Sequence, residues 1–190
     1  MKVGVLAIQG DYEAHAAAIE RAGAQPVLVR SPEELRDLDA LVLPGGESTT
    51  QLQFLREEGL DRAIAAFAAA RKPVFGTCAG AILLAKKVEN PLQDSLGIAD
   101  LTVARNAYGR QLSSEVREGE SKLSSRPLEM VFIRAPVIEK VGPDVEVLAE
   151  SRGKPVLVRQ KNILISTFHP ELSADSSVYN YFLKMARNGR

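Results

Sequence analysis

The sequence predicts an α/β protein with a mixed, mostly parallel sheet, helices on both faces and antiparallel strands added in the C-terminal half. In the first half, short apolar runs alternate with helical stretches. These runs are continuously apolar rather than alternating, as expected for strands that helices cover on both faces. From about residue 98 onward, strand-like segments follow one another without long helices between them, which favours hairpins.

The first half contains strands and helices in alternation. Strands are predicted at 3–8, 27–29, 40–43 and 74–76, and helices at 12–22, 50–70 and 79–87. Gly23 fits the end of the first helix, and Gly59 divides the second one.

The second half contains short strands and one last helix. The strands are predicted at 101–104, 130–133, 145–148, 156–158 and 163–167, and the helix at 174–186. Separators rich in glycine and proline, at 141–144 and 152–155, predict hairpins that extend one edge of the sheet. Because no repeat or break in composition divides the chain, we expect a single domain over residues 1–190.

The cysteine and histidine content excludes several classes of protein. The chain has 190 residues, with one cysteine, two histidines and no tryptophan. One cysteine cannot form an internal disulfide, and Cys78, His15 and His169 supply too few ligands for a four-coordinate zinc site. Disulfide scaffolds and zinc fingers are therefore excluded, and no metal site is predicted.

The charge balance gives no sign of a nucleic-acid or membrane partner. Lys and Arg together number 24, as do Asp and Glu, and proteins that bind nucleic acid usually carry a basic face. The N-terminal apolar stretch is too short for a signal peptide, and the longest apolar run, at 63–70, lies between two arginines. We expect a soluble cytoplasmic protein.

Cys78 is the candidate nucleophile. Open α/β sheets bind ligands beyond the carboxyl ends of their strands, and Cys78 follows the strand at 74–76, midway between Gly76 and Gly80. Small residues on both sides allow the sharp strand-to-helix turn that projects a nucleophile above the sheet. A lone intracellular cysteine is more often a small buried hydrophobe. The two flanking glycines favour the nucleophile.

A thiol nucleophile needs a general base, and His169 is the better placed histidine. It follows the strand at 163–167 and precedes Glu171 by two residues. In an extended segment, side chains two apart project to the same side, so Glu171 can orient the imidazole while His169 faces Cys78. For His15, which falls in the first helix, a place on the helix surface is the simpler interpretation.

The sequence Pro-Gly-Gly-Glu-Ser at 44–48 follows another strand end. Two glycines let backbone N–H groups approach a substrate oxygen. The N–H groups of Gly46 and of Ala79, the residue after the nucleophile, are the candidate oxyanion-hole donors. A phosphate-binding loop is a competing hypothesis, but the segment lacks the Gly-Lys-Ser/Thr of a Walker loop and the spacing of a dinucleotide fingerprint. A plain turn is the simplest alternative.

Six blocks of sequence carry a family resemblance. They are Gly-Val-Leu-Ala-Ile-Gln-Gly-Asp at 4–11, Leu-Pro-Gly-Gly-Glu-Ser-Thr-Thr at 43–50, Phe-Gly-Thr-Cys-Ala-Gly at 75–80, Arg-Asn-Ala-Tyr-Gly-Arg-Gln at 105–111, Phe-Ile-Arg-Ala-Pro at 132–136 and Phe-His-Pro-Glu-Leu at 168–172. With them the sequence resembles the class I (triad) glutamine amidotransferases, and more narrowly the glutaminase subunits of pyridoxal 5′-phosphate synthase. The resemblance implies a flavodoxin-like three-layer sandwich.

The resemblance also implies a role for individual residues. Cys78 would be the nucleophile, and His169 and Glu171 the rest of a triad that hydrolyses L-glutamine to L-glutamate and ammonia through a glutamyl thioester. Contacts with glutamine are implied for Gly46, Glu47, Ser48, Arg105, Ile133 and Arg134. An arginine suits the carboxylate of a zwitterion, and Glu47 its ammonium. Without the family, each arginine would be taken as a solvated surface charge.

A heteromeric complex is the last implication of the resemblance. Ammonia would pass through a channel to a separate synthase subunit, which combines it with ribose 5-phosphate and glyceraldehyde 3-phosphate. Docking of that partner is expected to orient the Gly45–Gly46 peptide. Gln9, at the end of the first strand, is the residue expected to couple the subunits, although it also fits a polar residue that closes a strand. No cofactor is expected, because pyridoxal 5′-phosphate would be the product of the partner.

Two other classes of function stay open at this point. One is a cysteine hydrolase or chaperone of the related α/β type, which needs the same turn around Cys78 but no ammonia acceptor. The other is a regulatory subunit without enzymatic activity.

Overall fold

The computed structural model describes residues 1–105 and 114–188. Its strands are β1 (Lys2–Leu6), β2 (Gln25–Val29), β3 (Ala40–Leu43), β4 (Val74–Thr77), β5 (Ala85–Glu89), β6 (Ala99–Ala104), β7 (Glu115–Ser121), β8 (Ser124–Phe132), β9 (Val137–Val141), β10 (Glu146–Ser151), β11 (Lys154–Gln160) and β12 (Ile163–Ser166). Its α-helices are α1 (Tyr12–Arg21), α2 (Ser48–Glu57), α3 (Leu60–Ala69), α4 (Ala79–Leu84) and α5 (Ser177–Asn188). Two 3-10 turns span Pro32–Leu35 and Pro170–Leu172.

A nine-stranded mixed sheet organises the molecule. Its strand order is β2-β1-β3-β4-β12-β11-β10-β7-β8. The pairs from β2 to β12 are parallel, and those from β12 to β8 are antiparallel. Strands β11, β10, β7 and β8 therefore extend one edge of a parallel sheet, as the sequence predicted, and the hairpin predicted at 152–155 joins β10 to β11. The hairpin predicted at 141–144 is wrong, because β9 pairs with β6 in a separate sheet and not with β10.

Both faces of the parallel strands are buried, which explains their continuous apolar runs. In β3, Leu41 and Leu43 belong to the core that includes α2, α3 and α4, whereas Ala40 and Val42 belong to the core that includes α1 and α5. Successive side chains of a strand point to opposite faces, so a strand covered on both sides needs apolar residues at every position. The predicted α/β fold with helices on both faces is confirmed.

The predicted helix at 79–87 is partly wrong. Helix α4 ends at Leu84, and residues 85–89 form β5, which pairs with β6 in a separate three-stranded sheet of order β5-β6-β9. Lys86 and Lys87 are exposed while Val88 is buried, and pairing with β6 outweighs the helical propensity of the two lysines. The predicted strand at 101–104 therefore extends this small sheet and not the edge of the large one.

The start of the last helix and two strands that were not predicted, β7 and β9, also differ from the prediction. Helix α5 begins at Ser177 and not at residue 174, and a 3-10 turn precedes it. Strand β7 was not predicted, because its sequence, Glu-Val-Arg-Glu-Gly-Glu-Ser, has no apolar run. It forms by pairing with β8 and β10.

No helix within residues 1–105 and 114–188 combines the length and the apolar character needed to cross a membrane.

Two glycines bring α4 close to the strands beneath it. A Cβ added at Gly80 would lie 2.1 Å from the carbonyl oxygen of Leu43, and one added at Gly76 would lie 2.7 Å from the backbone of Gly80. Both distances are far below normal contact. Only glycine at these positions lets the chain turn directly from β4 into α4.

We predict that Gly80→Ala lowers the free energy of unfolding by about 2 to 3 kcal/mol, as expected for an overpacked site. Gly59→Ala is the matched control, because Gly59 has a φ of 71° and no atom within 4 Å of the added carbon. Its left-handed conformation alone costs about 1 kcal/mol. Urea denaturation measures both losses, and equal losses would contradict the close approach of α4 to β3.

Candidate active site

The site lies at the carboxyl ends of two neighbouring parallel strands. Strands β4 and β12 pair in register, with Thr77 opposite Ser166. The backbone N–H of Cys78, just beyond β4, donates to the carbonyl oxygen of Ser166 at 3.0 Å. His169 follows β12 by three residues, so the sheet brings the candidate nucleophile and the candidate base to the same place.

Cys78 adopts a strained backbone conformation at the turn between β4 and α4. Its φ is 49° and its ψ is −102°, outside the regions that residues with a side chain prefer. The thiol is mostly buried, and its sulfur lies 3.9 Å from the carbonyl oxygen of Ile133. Such strain at the start of a helix is the geometry of a nucleophile elbow.

Glu171 orients His169 through a direct hydrogen bond. The Nδ1 atom of His169 lies 2.6 Å from Oε1 of Glu171, whose side chain is fully buried. The extended geometry assumed for this segment is wrong, because residues 170–172 form a 3-10 turn. The two side chains meet nevertheless, since the turn folds Glu171 back toward the ring that precedes it.

The charge on His169 depends on its two neighbours. Burial alone would lower the pKa of His169, but the Cys78 sulfur and the Glu171 carboxylate raise it to about 10. The Nε2 atom of His169 is buried and has no aligned hydrogen-bond partner among the described residues. The Cys78 sulfur therefore acts on His169 without an aligned hydrogen bond to Nε2.

The Glu171 carboxylate lies between two imidazoles. Besides the bond to His169, its Oε1 atom lies 3.3 Å from Nε2 of His15. Burial would raise the pKa of Glu171, but His15 and then His169 lower it to about 2. The simpler interpretation of His15 as a residue of the helix surface is wrong, because its exposed fraction is 0%.

The loop between β3 and α2 closes over the Cys78–His169 pair. A Cβ added at Gly45 would lie 2.8 Å from Cε1 of His169 and 3.5 Å from Cβ of Cys78. The Gly45 carbonyl oxygen accepts a hydrogen bond from Nε2 of Gln51 at 3.1 Å, and Gly46 has a φ of 134°. Gln51 therefore holds the orientation of the Gly45–Gly46 peptide.

Gln9 also contacts this loop. Its Oε1 atom accepts a hydrogen bond from the backbone N–H of Glu47 at 3.2 Å, and its carbonyl oxygen lies 3.3 Å from Nε2 of Gln51. The segment that follows β1 and the start of α2 are thus joined next to the Gly45–Gly46 peptide, and Gln9 lies three residues beyond the strand that the sequence predicted it would close.

Glu47 and Arg105 form an ion pair at the edge of the site. The distance between Arg105 Nη2 and Glu47 Oε1 is 2.7 Å. The other carboxylate oxygen caps α2 by accepting hydrogen bonds from the N–H groups of Thr49 and Thr50. Partial burial would raise the pKa of Glu47. The hydrogen bonds from the Thr49 hydroxyl and from the two N–H groups, together with the Arg105 charge, lower it instead.

The other predicted glutamine contacts are distributed around the site. Ser48 is buried, and its hydroxyl donates to Oε1 of Gln93 at 3.0 Å. Ile133 is at the site through its carbonyl oxygen, and Arg134 follows it on the surface with a φ of 45°. In the block at 105–111, residues 106–111 lie outside the described residues.

Sequence reasoning missed the contributions of His15, Gln51 and Tyr179. One signal for His15 was present, because the buried positions of α1 are His15, Ala18 and Ile19, at the spacing of a core-facing helix stripe. Gln51 and Tyr179 gave no such signal, because their partners are distant in sequence. Among residues 1–105 and 114–188, no group of three or more His, Cys, Asp and Glu side chains is arranged to hold a metal ion.

We predict that Glu171 makes folding stability depend on acid pH. Its folded-state pKa of about 2 lies below the ordinary value of 4.5, so the unfolded chain binds more protons between these values and stability falls as the pH drops through that window. Denaturation of wild type and of Glu171→Gln from pH 6 to about pH 2.5 should show a difference that shrinks in acid. Glu58→Gln, at an exposed carboxylate, is the control. A difference that does not change with pH would contradict the ionised Glu171.

The sequence and the fold were compared with those of known proteins. Residues 5–188 match the SNO glutamine amidotransferase family. The chain is 56% identical to "Pyridoxal 5'-phosphate synthase subunit PdxT" of Koribacter versatilis, over 100% of this chain and 97% of that relative. It is 45% identical to the protein of the same name from Fervidobacterium nodosum, over 100% of both. A solved structure, "Crystal structure of glutamine amidotransferase", has a TM-score of 0.92 at 45% identity and covers 97% of this chain and 98% of its own. The chain therefore belongs to the SNO glutamine amidotransferase family, as its sequence blocks indicated.

Proposed function

We propose that this protein hydrolyses L-glutamine to L-glutamate and ammonia through a Cys78–His169–Glu171 triad and delivers the ammonia to a synthase subunit that makes pyridoxal 5′-phosphate. The observation that carries the proposal is the meeting of a strained cysteine with a carboxylate-bound histidine at adjoining strand ends. Membership of a glutamine amidotransferase family supports the choice of substrate.

In the first half of the reaction, the Cys78 thiolate attacks the side-chain amide carbon of glutamine. The carbonyl π electrons move to the oxygen, and a tetrahedral intermediate forms. A histidine whose pKa is raised to about 10 carries a proton at neutral pH, and His169 gives that proton to the departing nitrogen. Ammonia leaves, and the glutamyl group remains on the sulfur as a thioester.

In the second half, His169 changes from acid to base. The raised pKa of His169 depends on the Cys78 sulfur as well as on Glu171. Once the sulfur is acylated it has no negative charge, so the pKa of His169 falls and the neutral ring can take a proton from water. Hydroxide attacks the thioester carbon, glutamate leaves, and the thiolate returns.

The oxyanion is proposed to bind the backbone N–H groups of Gly46 and Ala79. Ala79 is the first residue of α4, where N–H groups have no acceptor within the helix. The N–H of Gly46 belongs to the peptide whose carbonyl oxygen binds Gln51. Because Gln9 contacts the same loop, we propose that partner docking acts on this peptide through Gln9. Loss of one oxyanion donor costs about 10²- to 10³-fold in rate.

Glutamine is proposed to bind at the Glu47–Arg105 pair, with help from Ser48, Ile133 and Arg134. Glu47 is ionised and suits the α-ammonium of glutamine, while the Arg105 guanidinium suits its carboxylate. The two side chains are paired at 2.7 Å, so two opposite charges lie together where a zwitterion can bind.

The proposed partner follows from the relatives, whose printed name is that of a pyridoxal 5′-phosphate synthase subunit. Ammonia is a product that a second active site must capture before it is protonated in water. The chemistry proposed for this chain uses only side chains, backbone N–H groups and water, so it includes no cofactor and no metal ion.

We predict that Cys78→Ala abolishes glutamine-dependent formation of pyridoxal 5′-phosphate by the complex and leaves synthesis from added ammonium unchanged. The measurement is product formation with each nitrogen source in the presence of the cognate synthase subunit. Equal loss with both sources would show that Cys78 has a structural role. Hydrolysis of other amides but not of glutamine would favour a related cysteine hydrolase instead.

We predict that Arg105→Met raises KM for glutamine about 10- to 100-fold, because a hydrogen bond to a charged group contributes on that scale. The kcat value should change much less, since Arg105 is proposed to bind the α-carboxylate and not the reacting amide. Arg56→Met is the matched control, because its ion pair with Asp94 is exposed. Unchanged KM in Arg105→Met would contradict the proposed glutamine contact.

A further inference from the structure

His15 lies behind the triad, although it is distant from it in sequence. Its ring is fully buried, and it contacts three polar side chains. The Nδ1 atom lies 2.7 Å from Oη of Tyr179, and the Nε2 atom lies 3.2 Å from Oγ1 of Thr77 and 3.3 Å from Oε1 of Glu171. The histidine thus connects α5, β4 and the turn after β12.

Tyr179 and Glu171 together determine which nitrogen of His15 carries the ring proton. Burial and the charge of Glu171 raise the pKa of Tyr179 well above its ordinary value, against the opposing charge of Arg21. Tyr179 therefore keeps its proton. An ionised Glu171 carboxylate can only accept, so the His15 nitrogen that faces it is the donor, and Nδ1 is left to accept from the Tyr179 O–H. The ring proton is therefore assigned to Nε2, which lies 3.3 Å from Oε1 of Glu171 and 3.2 Å from Oγ1 of Thr77.

We propose that His15 is a positioning residue for the triad: its Nε2–H group, held in this tautomer by Tyr179, fixes the Glu171 carboxylate, which in turn fixes His169. This inference rests on the proposed glutaminase function. His15 acts through Glu171 and not on the reacting atoms, because its polar contacts are with Tyr179, Thr77 and Glu171.

The geometry favours an active role over simple packing. Glu171 Oε1 accepts both imidazole contacts, while Oε2 is buried without a partner among the described residues. Rotation of the carboxylate would therefore break the bond to His169 unless a second contact opposes it. His15 supplies a second contact at the same oxygen, 3.3 Å from Oε1, and a buried carboxylate gains most from a donor of this kind.

The ionisable groups near Glu171 come from several elements. They are His15 from α1, Tyr179 from α5 and His169 on its own segment, with Cys78 acting on His169 and Arg21 of α1 acting on Tyr179. Glu129 of β8 accepts a hydrogen bond from the hydroxyl of Ser173, just after the turn that carries Glu171. Of these, His15 is the first in lowering the pKa of Glu171. Without His15, the effect of burial is opposed less, so the pKa of Glu171 is higher. Glu171 then takes up its proton at a higher pH.

The test compares His15→Leu with His15→Gln in a glutaminase assay of the complex with its synthase subunit. Leucine removes the donor, whereas glutamine keeps an N–H group at nearly the same reach. We expect kcat to fall about 10- to 100-fold in His15→Leu, with KM unchanged, because a hydrogen bond to a charged group contributes on that scale. The acid limb of the kcat profile should move to higher pH by about one unit, and His15→Gln should retain most of the activity.

A second pair of variants separates positioning from folding. His15→Leu leaves the Tyr179 hydroxyl unpaired, so the double variant His15→Leu/Tyr179→Phe removes both polar partners and restores stability. The kcat of the double variant should stay low, and the acid limb of its kcat profile should stay shifted to higher pH. Ile19→Val is the matched control, because Ile19 lies one turn further along α1 in the buried core and has no polar group. It should change stability but not the pH profile.

Three outcomes overturn the inference. They are unchanged kcat and pH profile in His15→Leu, equal losses in His15→Leu and His15→Gln, and recovery of kcat in the double variant along with its stability. The proposed function fails separately, by absence of glutaminase activity in the wild-type complex. If the wild-type complex is active and the His15 variants have the same kcat and pH profile, only the positioning role of His15 is contradicted.

Discussion

The parallel pairing of β4 with β12 is the constraint on which the rest of the site depends. It brings two loops distant in sequence to one edge, and the bond from the Cys78 N–H to the Ser166 carbonyl continues the ladder past the last residue of β4. The chain must then turn sharply after each of these two strands. At β4 this requires the strained φ of Cys78 and the glycines on each side, and at β12 the 3-10 turn that carries Glu171.

A second constraint is the buried carboxylate of Glu171. A charge removed from water is stabilised only by partners that replace its hydration, and here two imidazoles approach the same oxygen. The arrangement keeps Glu171 ionised and so maintains the proton of His169. The electrostatics of the nucleophile pair therefore extend from the strand ends into the packing of α1 and α5 against the sheet.

Much of this architecture follows from local sequence, and the remainder depends on contacts between distant residues. The apolar runs indicated strands covered on both faces, and the two glycines around Cys78 indicated the turn that the structure contains. The proximity of His169 and Glu171 was predicted for the wrong reason, since the segment is not extended. Residues 85–89 and β7 form strands only because neighbouring strands pair with them. His15 was misjudged because its polar partners are contributed by β4, α5 and the turn after β12.

The most direct measurement of the central claim is covalent trapping by an electrophilic glutamine analogue, followed by mass spectrometry of the complex with its synthase subunit. A Cys78 that acts as the nucleophile of a glutamine site should carry one adduct at its sulfur. An excess of glutamine should slow the labelling, and His169→Asn should slow it strongly. Absence of an adduct on Cys78 in the wild-type complex, or labelling that glutamine does not slow, would contradict the account.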